Sequence, residues 1–161
     1  MRKRIIARAL SLAALGFSLQ AEADERLVRF EGGIGVIPTG SANNTVRGVP
    51  PAGQIWVISR LSADVRTDGR ISVDGRGLLL GGGNNIGTTN NQSVRARLFC
   101  GAVGNGTPFD SALVPLEANG DFRIEGEISD PNTGLPSVCE RPVLLILNPA
   151  GSWFAAGIPK L

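Results

Sequence analysis

The sequence predicts an all-β fold: a single antiparallel β-sandwich of the immunoglobulin-like, Greek-key kind, with about eight strands and one disulfide. A closed β-barrel is the alternative. Three observations lead there. After Asp24 no stretch keeps apolar residues at helical spacing for three turns. Period-two alternation recurs instead, bounded by Gly, Pro, Asn and Asp. Finally, three hairpin signatures share one form: Thr67-Asp68-Gly69, Ala118-Asn119-Gly120 and Pro149-Ala150-Gly151, each a three-residue loop ending in Gly.

Taken in order, strands are expected near 27–37, 55–66, 70–80, 93–101, 111–117, 121–128, 142–148 and 152–158. Gly32, Gly33 and Gly35 predict a bend or bulge in the first. The Thr67–Gly69 loop sets the next two in register, with Val65 opposite Ile71, Ala63 opposite Val73 and Leu61 opposite Gly75. Ser62–Asp74 and Asp64–Ser72 then fall on the other face. A two-residue Asp-Gly loop would pair Arg66 with Ile71 and mix the faces. Val94, Ala96, Leu98 and Cys100 share one face of the fourth strand, which places Cys100 on the buried side. The second hairpin sets Leu116 against Phe122 and Val114 against Ile124, and the third sets Leu147 against Trp153. Pro142 starts its strand, where its missing N–H is tolerated. No internal repeat or second domain is evident.

The first residues read as an address. Arg2, Lys3, Arg4 and Arg8 precede a mostly apolar run from Ala9 to Leu19, followed by Ala21-Glu22-Ala23 and Asp24. Positive charge, short apolar core and small-residue site in that order define a secretory signal peptide over 1–23, cleaved between Ala23 and Asp24. The apolar run is too short to span a bilayer, which takes roughly 20 residues, and no transmembrane segment is expected in the mature chain. Four of the 16 basic and one of the 14 acidic residues leave with it, so the single domain 24–161 carries a net charge of −1. The basicity of the whole chain therefore gives no argument for nucleic acid as a partner. A secreted or periplasmic location follows. There Cys100 and Cys139, the two cysteines of the chain, are expected to form one disulfide.

Composition removes several chemistries. The chain has no histidine, which excludes His-dependent triads and His-ligated metal or haem sites. No cofactor, metal site or catalytic residue is expected. The candidate ligand site is the polar loop 81–92, where Asn84, Asn85, Thr88, Thr89, Asn90 and Asn91 offer amides and hydroxyls to a ligand such as a glycan. It lacks the Gly-Lys-Ser/Thr signature of a phosphate loop. Glu125 and Glu127 share a strand face about 7 Å apart, a spacing a glycosidase could use, but beside Arg123 on a face read as solvated. Asp64, Asp68 and Asp74 miss the spacing of a calcium loop. Arg60 opposite Arg76, and Arg66 across the turn from Arg70, call for intervening acids, for which Asp64 and Asp74 are near enough. Trp56 and Trp153 are expected to be buried rather than exposed for sugar stacking.

Several stretches together resemble a group of small exported bacterial proteins known mainly as hypothetical proteins. They are Arg29–Gly35, Arg70–Gly75, Val94–Cys100, Pro115–Phe122 and Trp153–Gly157. The resemblance covers nearly all of the mature domain and implies a secreted β-rich protein with no assigned activity. The functional expectation is a non-enzymatic binding or structural module of the cell envelope or extracellular space, its partner an envelope protein or glycan. A carboxylate-dependent hydrolase and a protease inhibitor presenting the loop 101–110 are the alternatives.

Overall fold

The computed structural model describes residues 25–39, 44–102, 104, 108–128 and 134–160. Every regular element among them is a strand. They are β1 Arg26–Gly35, β2 Trp56–Val57, β3 Arg60–Arg66, β4 Arg70–Arg76, β5 Leu79–Leu80, β6 Ser93–Phe99, β7 Pro108–Asp110, β8 Val114–Pro115, β9 Phe122–Glu127, β10 Val143–Leu147 and β11 Trp153–Pro159. One antiparallel sheet runs β7-β6-β10-β11-β1-β3-β4-β9, strongly curled into a half-barrel, with β8 paired to β6. The short strands β2 and β5 form a small second sheet.

The predicted β3–β4 register holds at every pair. Val65 faces Ile71, Ala63 faces Val73 and Leu61 faces Gly75, all of them buried. Gly69, Gly120 and Gly151 each take a positive φ of 82–94°, the left-handed position that the three-residue loops require. Leu147 stands opposite Trp153 as expected. The glycines of β1 produce a shift in its pairing with β11 between Phe30 and Gly33. That bulge helps the sheet curl.

Three expected strands break. The segment 55–66 divides into β2 and β3, and 70–80 divides into β4 and β5, because Gly77 turns the chain at φ +63°. The Gly77 N–H bonds to the Asp121 carboxylate, and Ser59 N–H bonds to Arg76 O, which ends the ladder there. The segment 111–117 yields only β8, which pairs with β6. The second hairpin therefore survives as a turn, Glu117 N–H to Asp121 O at 2.9 Å, while the β9 ladder forms with β4. Val114 and Pro115 are instead taken up by Val94 and Ser93 of β6. That turn also links the two edges of the curled sheet at one end.

The core fills the concave side. Phe30, Val65, Val73, Leu98, Ile124, Leu144 and Ile146 are all fully or nearly fully buried there. Strand β10 is buried on both faces, which explains its unbroken apolar run. Its second face is covered by the 44–49 segment. Trp153 Nε1–H reaches Asn44 O at 3.0 Å, and Arg47–Val49 shares a concavity with Arg97 and Phe99, which lie on the face of Leu145. Trp56 is buried and stacks on Phe154, ring centroids 3.9 Å apart, and Trp153 is buried as well. The Cys100–Cys139 disulfide closes the end of the β6–β10 ladder, beside the Phe99–Val143 pair.

Candidate functional site

The loop 81–92 is folded on itself by its own backbone. Leu80 N–H donates to Thr88 O at 2.9 Å and Gly87 N–H returns to Leu80 O at 2.8 Å, pinching the loop at its base. Ile86, Thr88 and Gln92 donate to Gly83, Asn85 and Thr89 respectively, and the Thr88 hydroxyl donates to Asn85 O. The loop is thus a chain of consecutive turns. Asn90 and Asn91 both adopt positive φ, 48° and 52°. Asn tolerates that conformation better than other residues with a Cβ.

These turns bring five of the six predicted ligand residues together. Asn85, Thr88, Thr89, Asn90 and Asn91 line a concavity of about 420 Å³ with Gly87 and Ala118. Asn84 lies outside it. Thr89 is buried and forms part of the floor, whereas the four others are exposed. The lining holds amides, hydroxyls and backbone groups but no charged side chain. Ala118 comes from the 117–121 turn, so the concavity depends on two loops far apart in sequence.

A larger groove of about 520 Å³ lies on the polar face of β1, β3, β4 and β9. Its walls include Arg26, Arg66 and Arg70 with Asp64, Glu125 and Glu127, over Ser72 and Gly126. Cross-strand register arranges this face in rows: Arg29–Asp64–Ser72–Glu125 and Glu31–Ser62–Asp74–Arg123. Charges of opposite sign are interleaved along it. Asp64 pairs with Arg26 and lies 3.9 Å from Arg29. Asp68 meets Arg70 at 2.5 Å, and Glu125 lies 3.6 Å from Arg123 with 65% of its side chain exposed.

Arg60 and Arg76 do stand opposite each other, and Arg76 is bonded to Asp74, as expected, and to Asp121, whereas Asp64 pairs with Arg26 and Arg29. The Arg76 guanidinium holds the Asp74 carboxyl below its ordinary value. It does the same to Asp121, helped by the Gly77 N–H. Lys160 likewise lowers Glu31. Lowered carboxylates stay ionised at neutral pH, the reverse of what a general acid needs. Among the described residues, no group of three Cys, Asp or Glu side chains comes together in a way that could hold a metal. The predicted cleavage residues Ala21, Ala23 and Asp24 lie outside the described residues, as does part of the loop 101–110, whose end forms β7.

Sequence reasoning missed one group. Arg47 and Arg97 meet where the 44–49 segment lies against β6, with Arg95 joined to Arg97 through Asp110, and their residue types alone gave no reason to join them. The pattern Val46-Arg47-Gly48-Val49 was the available signal: two β-branched residues around a two-residue turn. No protein-family model, curated protein or solved structure matches this chain.

Proposed function

We propose that the chain is an exported, disulfide-stapled binding module whose ligand is a neutral, hydroxyl-rich group such as a glycan, held at the Asn85–Asn91 concavity. The observation that supports it is the lining: five uncharged polar residues on a loop whose shape is fixed by its own hydrogen bonds. A pre-shaped loop loses little conformational entropy when a ligand docks. Amides and hydroxyls match the donors and acceptors of sugar hydroxyls without requiring charge. The disulfide is compatible with an oxidising, extracytoplasmic compartment. We read the curled sheet as an open barrel, because the 117–121 turn draws its two edges together.

Replacing Asn90 and Asn91 by Gly tests this reading, since Gly accepts the positive φ at both positions and removes only the amides. The double variant is expected to fold as the parent does and to lose retention on polysaccharide from envelope and culture fractions. Undiminished retention would move the site elsewhere. Export is checked separately: the N-terminus of the exported protein is expected at Asp24.

A second reading has its own observation. Asp64, Glu125 and Glu127 line one groove, with Asp64 and Glu125 two strand spacings apart, about 10 Å at the backbone. That is close to the separation used by inverting glycosidases, roughly 6.5–9.5 Å between carboxyls. Their exposure disfavours it, because a carboxyl must be desolvated to stay protonated near neutrality. Release of reducing sugar by the parent, abolished in Glu125→Gln, would favour hydrolysis over binding.

A further inference from the structure

Arg47 occupies a costly backbone position. Val46 and Val49 exchange both hydrogen bonds, 3.0 and 2.8 Å, around the two-residue loop Arg47-Gly48, whose φ values are 52° and 79°. Two successive positive φ values define a type I′ turn, whose first central position favours Asn, Asp or Gly. An arginine there is strained, and strain of this kind collects at functional positions. The turn delivers the guanidinium into a half-buried setting: Nη2–H donates to Arg141 O at 2.8 Å, while Nη1 is buried and bonded to nothing.

Beside it, Arg97 and Arg95 project from the same face of β6. Arg97 forms a two-pronged bond with Asp110, 2.6 Å at each oxygen. Arg95 lies 3.6 Å from the same carboxylate, and its Nε is also buried without a hydrogen-bond partner. Arg95 and Arg97 thus share one carboxylate, and Arg47 comes alongside Arg97. The adjoining concavity, about 280 Å³, is lined by Arg47, Arg97, Val49, Phe99, Gly104 and Pro108. Buried donors left unmatched carry a desolvation penalty that an acceptor would relieve. Guanidinium geometry suits an oxyanion, whose oxygens accept paired N–H donors.

We propose that Arg47, Arg95 and Arg97 form an oxyanion-binding site, taking a phosphate, a sulfate or the carboxylate of an acidic sugar. The site is separate from the Asn85–Asn91 concavity and does not depend on the glycan reading. The strained turn then has a purpose, since it aims Arg47 at the anion, and Asp110 fixes Arg97 while dividing its single charge between Arg97 and Arg95.

The test titrates the disulfide-intact protein with inorganic phosphate, sulfate and a uronic-acid oligosaccharide, against sodium chloride at matched ionic strength. Arginine side-chain Nε–H resonances are followed. Saturable shifts at Arg47, Arg95 and Arg97 are expected with at least one of these anions, and the set that saturates tells a free inorganic anion from a sugar carboxylate. Arg47→Asn removes the cation while placing a favoured residue in the turn, so it is expected to weaken affinity at least tenfold and leave Tm unchanged or raised. Arg95→Gln, which leaves the turn untouched, is expected to weaken affinity similarly. A linear response that tracks ionic strength alone would overturn the proposal. So would saturable binding that survives either substitution.

Discussion

Removing the disulfide is the most quantitative perturbation the fold offers. Cys100 and Cys139 are 39 residues apart and join the end of β6 to the approach of β10, two strands already paired at Phe99–Val143. In the native state the bridge therefore adds little new constraint, and its main effect falls on the unfolded chain. Closing a loop of about 40 residues removes unfolded-state entropy worth about 4 kcal/mol at 25 °C. A domain of this size has a total stability of roughly 5–15 kcal/mol, so the bridge is a large share of it. Cys100→Ala/Cys139→Ala is compared with the parent by urea unfolding. With a slope of about 2 kcal/mol per molar urea, the midpoint should fall by about 2 M. The unfolding slope should rise in the double variant, because its unfolded chain exposes more surface. A midpoint shift under about 0.5 M would refute the reasoning.

Other outcomes follow from single positions. Gly75→Ala would place a Cβ 2.1 Å from the Phe122 ring edge, and Phe122 is buried, so the ring cannot swing clear. Overpacking of this kind costs about 1–3 kcal/mol, read as a lower urea midpoint with the slope unchanged. Leu144→Ala in doubly covered β10 should cost about 2–5 kcal/mol, measured the same way. For pH, Asp74 and Asp121 have folded-state values below their ordinary 3.8. Their contribution is complete above the unfolded value and is lost as pH falls through the lowered folded values. Tm should therefore fall on acidification below about pH 4, and Arg76→Gln should flatten that limb. An unchanged acid limb in Arg76→Gln would show that the Arg76 pairs do not govern it.

The β3–β4 hairpin was readable because two signals agreed: strict alternation on both sides and a Gly at the loop position that needs positive φ. Where the signals were local the reading held, as at Asn148–Ser152. It failed where partner choice was decided at long range. Nothing within 111–128 shows that β8 would leave β9 for β6, since both pairings satisfy the same alternation. At Gly77 the buried positions switch from odd (Ile71, Val73, Gly75) to even (Leu78, Leu80), but the unbroken apolar run Leu78–Leu80 fits either parity and masks the switch. At the site, composition identified the Asn/Thr loop, but its shape comes from turn hydrogen bonds and from Ala118, contributed by another hairpin. Arg47 illustrates the opposite limit. Its significance lies in a backbone conformation and one buried, unbonded nitrogen, neither of which leaves a mark in composition.

The most direct test of the binding account is amide chemical-shift mapping of the disulfide-intact protein against a panel of neutral oligosaccharides. Saturable shifts are expected to be confined to residues 85–91 and Ala118, with the added sugar recovered intact. Shifts centred on Asp64, Ser72 and Glu125, together with cleavage of the sugar, would contradict it and make the charged groove the working site.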